Sequence, residues 1–402
     1  MEKKDYWFAL YPDSFLWVKG EKGLVYNART GTKVKFANEG VVADIVSELL
    51  EMEALYCVSL SQETLENENV KSWIHEVATA KAGVLVPKDG INQRPLTLMP
   101  VLKVQDGADY YRWEHRQGID GNVLDNLHRL VFFINGSHYG NDLYSRQVLY
   151  PVTGVSVLDG KTLCDFVASG GRSFLSDIVL VGNSFVYPEL QFLLDSWGNF
   201  YSVKICVAVQ DVLENLDAAE ILSDRADLNI LVSDYTSLHG LSHKSWIKDV
   251  QFTFLVTSEK DYENAMQCRA EWMIDDFEIL PVYTGTNRDF FEEAVFMDEE
   301  EIQSIVLSKR EIFIRQTLNV PDFGNLFIMP DGQVYSNRNG APVGHIQEPL
   351  HDIVYREIDE GHSWLRIRNG QPCRDCIYQW LCPSPSNYEQ VMEKPNLCHL
   401  HP

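Results

Sequence analysis

The sequence predicts an α/β protein in three parts. A six-unit partial (β/α) barrel of the TIM type is preceded by a small winged-helix-like α+β module and followed by a cysteine-bearing domain. Three observations carry this. Six β-rich apolar runs recur between residues 128 and 283, from the second onward at a spacing of roughly 25 residues, the size of one βα unit. The runs are apolar almost throughout, so both faces of their sheet are covered, as in a barrel or a doubly wound sheet. Residues 1–88 instead place their strands first and their helices afterwards.

In the first module, "SFLWVKG" (14–20), "GLVYNA" (23–28) and "TKVKF" (32–36) read as short strands parted by the turn-rich "KGEKG" and "NARTG". Asn38 is placed to cap a helix running to about Leu50, with Val42, Ile45, Val46, Leu49 and Leu50 on its apolar stripe. A second helix is expected in "NVKSWIHEVATAK", and "AGVLVP" closes the module. Residues 89–126 form a connector: "KDGINQRPLTL" has linker composition, and 98–126 carries no clear period. The barrel occupies 127–320. Its strands are "HRLVFFIN" (128–135), "DIVLVG" (177–182), "VKICVAV" (203–209), "LNILVS" (228–233), "VQFTFLV" (250–256) and "FEILPVY" (277–283). Helices such as "PELQFLLDSW" and "EKDYENAMQCRAEWM" lie between them. Six strands fall short of a closed eight-fold barrel, hence a partial one. "DEEEIQSI" (298–305) starts a solvated helix with its acids at the positive end of the dipole. Residues 321–402 open with a hairpin turning at Pro330-Asp331-Gly332 and run into the cysteines.

Composition narrows the function classes. The 402 residues carry a formal charge of −24 and no Lys/Arg-rich run, which argues against non-specific nucleic-acid binding. No apolar stretch approaches a membrane span, and the N-terminus lacks the apolar core of a signal peptide. The expected location is therefore cytoplasmic, where clustered cysteines serve as metal or cluster ligands rather than as disulfides. Of eight cysteines, Cys57, Cys164, Cys206 and Cys268 stand among apolar neighbours and read as small core residues. Dinucleotide, P-loop, zincin, EF-hand and nucleophile-elbow motifs are absent.

The other four lie near the end. "PCRDCIYQWLCPSPSNYE" (372–389) holds Cys373, Cys376 and Cys382, and Cys398 follows. A domain this small struggles to bury a core, and a bound metal or cluster would help hold it together.

The order of parts, with "PDGQVYSN" opening the tail, resembles radical S-adenosylmethionine peptide maturases with a C-terminal SPASM domain. In that family the tail carries Cys-x2-Cys-x5-Cys-x3-Cys and a final cysteine, shared between two auxiliary [4Fe–4S] clusters. The present chain lacks a cysteine in "VYSNRNG" and has Ser386 at the x3-Cys position. The resemblance implies that Cys373, Cys376, Cys382 and Cys398 are the ligands of the second cluster and that the first has gone. The family's barrel loop needs Cys-x3-Cys-x2-Cys after the first strand; here that loop reads "GSHYGNDLYSRQVLYPV", without cysteine. The family's Gly-Gly-Glu-Pro, which holds S-adenosylmethionine, is matched by "VGNSFVYPEL" (181–190), where only Gly182 persists. Asn183 there is either a ligand contact or a polar residue in a vestigial loop. The chain thus resembles the pseudo-radical-SAM proteins of ribosomal peptide maturation systems, notably Bacteroidales systems with Gly-Gly-type precursors. The resemblance spans about 125 to the end. Residues 1–88 resemble, more weakly, the winged-helix element that binds leader peptides by adding a strand to its sheet.

Four thiolates also suit structural zinc, but a zinc ribbon brings two Cys-x2-Cys pairs and this chain has one. His399 and His401 keep a Cys3His zinc site open. The expectation is one [4Fe–4S] cluster, no bound S-adenosylmethionine and no catalytic residues. Three functions follow: a non-catalytic partner binding a precursor peptide, the true maturase, or both; a redox accessory passing electrons to that enzyme; or an enzyme that has reused the barrel.

Overall fold

The structure, a computed structural model, describes residues 5–88, 94–95, 97–100, 123–171, 173–236, 238–241, 244–361 and 363–401. The expected connector lies largely outside these residues.

The first module contains two three-stranded antiparallel sheets. In one, β1 (Asp5–Leu10) lies between β5 (Cys57–Ser61) and β6 (Gly83–Pro87). In the other, β2 (Ser14–Lys19), β3 (Lys22–Asn27) and β4 (Lys33–Ala37) form a meander. Strands β2–β4 match the expected runs, whereas β1 and β5 were not anticipated. Alternation divides the meander's side chains. Leu16, Val25 and Val34 face the helices Gly40–Leu50 and Glu68–Thr79, where they meet Ile45, Leu49, Trp73 and Val77. Asn67 caps the second helix through the N–H groups of Asn69 and Val70. Asn38 does not cap the first; its amide donates to Gly20 O at 3.0 Å, and the helix begins at Gly40 behind Glu39. Leu50 is correspondingly exposed rather than part of the stripe.

All six apolar runs form strands: β7 (Arg129–Phe133), β8 (Asp177–Val181), β9 (Ser202–Ala208), β10 (Asp227–Val232), β11 (Gln251–Val256) and β12 (Phe277–Pro281). They pair in parallel and in chain order. The sheet continues beyond β7 with β13 (Asn325–Ile328), parallel to it, and then with β14 (Gln333–Tyr335) and β15 (Gly344–His345), giving nine strands. Leu130, Phe132, Leu180, Ile205, Ile230 and Phe254 point to one face, packing on helix residues such as Leu163, Leu193, Trp197 and Trp272. Val131, Phe133, Val181, Cys206, Leu231 and Leu255 point to the other. Cys57 and Cys206 are buried, and Cys164 and Cys268 are half-buried against the helix-side core.

Two connections cross the boundaries read from the sequence. Through β13 the hairpin at 325–335 belongs to the large sheet. The cysteine run instead packs on the first module: Phe15, Leu24 and Tyr26, on the meander's second face, share a core with Ile377, Tyr378 and Leu381 and with Ile302, Leu307 and Ile312. Tyr26 Oη both donates to Leu307 O and accepts from Leu307 N, each at 2.6 Å. The helix Glu299–Ser304, opened by the Asp298–Glu301 capping box, links both through Glu299, which accepts from Lys35 Nζ (2.9 Å) and Tyr378 Oη (2.7 Å). The tail is thus not left to stabilise itself. No helix among the described residues is long and apolar enough to cross a membrane.

Candidate functional site

In open parallel sheets, ligands bind at the carboxyl ends of the strands. Here those ends are tied to one another. Gly182, at φ +138°, brings its backbone so close to Asn135 that a Cβ would strike Asn135 Oδ1. Asn135 Nδ2 donates to Asn183 O (3.0 Å), and Asn135 Oδ1 accepts from Asn183 N (2.9 Å). Asn183 Nδ2 donates to Asp211 Oδ1 (2.8 Å), while Asn183 Oδ1 accepts from Phe185 N (3.2 Å). Ser137 Oγ donates to the other Asp211 oxygen at 2.8 Å. Burial pushes the Asp211 carboxyl above its usual range, and the Ser137 hydrogen bond opposes the shift. Both ends of the Asn183 amide are thus hydrogen-bonded within the protein. Asn135, Ser137 and Asp211 were not visible in the sequence, because each is an isolated polar residue far from its partners.

The loop after β7 covers the sheet face opposite the helices. Val148, Tyr150 and Val152 pack there against Val131, Phe133, Val181, Cys206 and Leu255. Polar bonds hold them. Gln147 donates to Tyr283 O and accepts from Tyr283 N, both at 2.8 Å, reaching the residue just past β12. Tyr150 Oη pairs with Ser233 Oγ at 2.7 Å. Arg338, between the rings of Phe133 and Phe327, donates to Val148 O at 2.8 Å. Burial lowers its guanidinium to about 9. Gly136 and Gly140 let the loop double back, since a Cβ on either would strike the backbone of Gly154 or Val152.

The four tail cysteines come together. Cys373 opens the short turn Cys373–Asp375, after which Cys376 N bonds to Cys373 O at 3.1 Å. Cys382 closes the next turn through Tyr378 O (3.1 Å). Cys398 is brought in by bridge pairing with Met297, in which His399 N donates to Met297 O at 3.0 Å. Cys373, Cys382 and Cys398 line a cavity of about 180 Å³ with Arg368, Ser386 and Asn396. Cys376 lines a neighbouring cavity of about 460 Å³ with Phe36, Ile377 and Tyr378. Burial pushes the Cys373 and Cys376 thiols up and takes Cys382 to about 12, with neighbouring thiols adding to the shift. Arg368 acts the other way on Cys373 and Cys382. Asn396 Nδ2 donates to Cys398 Sγ at 3.1 Å, and Arg368 Nη1 to Cys373 Sγ at 3.6 Å. Among the described residues, no three His, Cys, Asp or Glu side chains converge closely enough for a single metal ion. Three of the cysteines share one cavity and Cys376 faces another. His399 packs its ring on Phe296 at 5.6 Å. Arg368 and Asn396 carry no spacing signal and were not anticipated.

A third feature is the free edge of β4, which pairs only with β3 among the described residues. A cleft of about 240 Å³ separates it from the helix Glu68–Thr79, lined by Phe36, Val42 and Trp73. Trp73 Nε1 is buried there with no hydrogen-bond partner among the described residues.

No family model and no curated protein matches the chain. Solved structures of SuiB from Streptococcus suis are similar. The complex with precursor peptide SuiA aligns at 11% identity over 97% of this chain and 98% of that one, with a TM-score of 0.49. SuiB bound to S-adenosylmethionine aligns at 10% identity over 96% and 97%, with a TM-score of 0.45. SuiB alone aligns at 10% identity over 97% and 100%, with a TM-score of 0.42.

Proposed function

We propose that the protein is a non-catalytic accessory of ribosomal peptide maturation, a pseudo-radical-SAM protein that binds a precursor peptide, its maturase, or both. One observation carries the non-catalytic part: the sheet face and strand ends where such chemistry would sit are filled by Val148, Tyr150 and Val152 and tied by Asn135, Asn183 and Asp211. In this reading residues 127–320 are a partial (β/α)6 barrel turned into a scaffold. Residues 1–88 form the peptide-recognition module, where a precursor segment adds a strand at the β4 edge and sets side chains into the cleft beside Trp73. Residues 321–402 form a SPASM-like domain whose Cys373, Cys376, Cys382 and Cys398 hold one [4Fe–4S] cluster.

The donor set fits that group. Four thiols line adjoining cavities rather than a point, and two of them accept N–H···S bonds of the kind thiolates favour. When bound, such a cluster supplies one-electron transfer. A second reading, a redox accessory for a partner enzyme, is favoured by Cys376, which opens onto the larger cavity.

The test has two arms. Anaerobically reconstituted protein is expected neither to cleave S-adenosylmethionine nor to bind it; cleavage would overturn the reading. Peptides encoded beside the gene are expected to bind the intact protein and to lose affinity when β4 carries Lys35→Pro, since proline removes a backbone donor from the strand. Unchanged binding would remove the β4 edge from the recognition role.

A further inference from the structure

We infer that Arg368 is the counter-cation of the cysteine cage and sets the reduction potential of the cluster held there, which rests on the cluster reading above. Arginine is seldom buried without a charged partner, and this side chain is only 9% exposed. Its ion pair with Glu389, 5% exposed, measures 2.8 Å. That pair alone would explain a structural arginine. The remaining geometry points at sulfur. Arg368 Nη1 lies 3.6 Å from Cys373 Sγ, and the side chain lines the same cavity as Cys373, Cys382 and Cys398. Arg368 Nε is held by Pro383 O, the residue after Cys382, and its own carbonyl accepts from Gln379. The guanidinium is therefore clamped along the loop that carries two of the ligands. Arg315, half-buried, adds a second cation near Cys382 and donates to Leu381 O.

The electrostatic consequence has a definite sign. When a [4Fe–4S] cluster takes one electron from a donor such as dithionite, the four-thiolate complex becomes one unit more negative. A buried cation beside the sulfurs stabilises that form, in surroundings where charges are weakly screened. Arg368 thus raises the potential, and Glu389 partly cancels it.

Opposite charge changes should therefore move the potential in opposite directions. In a dithionite titration followed by electron paramagnetic resonance, Arg368→Met is expected to lower the reduced-to-oxidised ratio at a given potential by at least tenfold, about 59 mV for a one-electron couple. Glu389→Gln, which frees the cation, should raise it. Arg368→Lys, which keeps the charge and loses the fork, should stay near the wild type. A merely structural pair would lose iron in all three variants without this ordering. If Arg368→Met fails to fold, the upward shift in Glu389→Gln still decides. Equal potentials in loaded wild type and variants would overturn the inference while leaving the cluster reading intact. Stoichiometric zinc in anaerobically prepared, iron-replete wild type would overturn both.

Discussion

Asp322 shows how a single carboxyl reports on its surroundings. It is 3% exposed, and burial raises it to about 6 despite hydrogen bonds from Asn337 (3.0 Å) and Arg366 (3.2 Å). Its folded value exceeds the ordinary carboxylate value, so between roughly pH 4 and 6 the native state holds more protons than the unfolded chain. Asp322 therefore adds stability below that window and loses it as pH rises through about 6, a contribution of at most about 3 kcal/mol. Urea melts at pH 4.5 and 7 should show Asp322→Asn flattening this slope; an unchanged slope would mean that the carboxyl stays ionised throughout. Gly182 makes a second residue-scale case. At φ +138° and against Asn135 Oδ1, Gly182→Ala should cost about 3 kcal/mol, seen as a lower denaturation midpoint. In the sequence Gly182 stood out only through its resemblance to a Gly-Gly-Glu-Pro loop. Its close approach to Asn135 was not legible there, because the partner stands far away in sequence.

Among elements, the six parallel strands were readable because each is a continuous apolar run that needs only its own residues to declare itself. β1 and β5 were missed for the converse reason: Asp5 pairs with Ser61 and Ala9 with Cys57, so their pairing is non-local. The loop at 136–157 was read only for the cysteines it lacks. Its packing role lies in Val148, Tyr150 and Val152, three residues that alone look like any short loop strand. That role is testable. Tyr150→Ala should cost about 3–5 kcal/mol, as a core cavity does, and Tyr150→Phe about 1 kcal/mol for the lost bond to Ser233. Costs near those of surface substitutions would mean that the loop merely rests on the sheet. The four cysteines were legible because their spacing is compact; the flanking arginines and Asn396 were hidden by sequence distance.

At the scale of the molecule, the sequence suggested three modules in a row, whereas the meander and the cysteine run share one core. If the tail cysteines hold the proposed cluster, its loss should therefore be felt in the meander as well as in the tail. Stripping with a chelator, or Cys376→Ala, is expected to weaken amide-exchange protection in β2–β4 along with residues 368–400, while β7–β12 keep theirs. Protection lost only in 368–400 would show that the shared core survives without the cage.

That shared core also has a consequence in time. Tyr26 leaves the ribosome 351 residues before Ile377, roughly 20–70 seconds at ordinary synthesis rates. Until that interval ends Phe15, Leu24 and Tyr26 present an apolar sheet face whose cover is incomplete, since Ile302, Leu307 and Ile312 supply only part of it. Chains halted before residue 372 should consequently be captured by chaperones or aggregate through β2–β4, although the large sheet already has every one of its strands. The cysteine run would then act as the clasp of the nascent protein, covering the meander with turns made long after it.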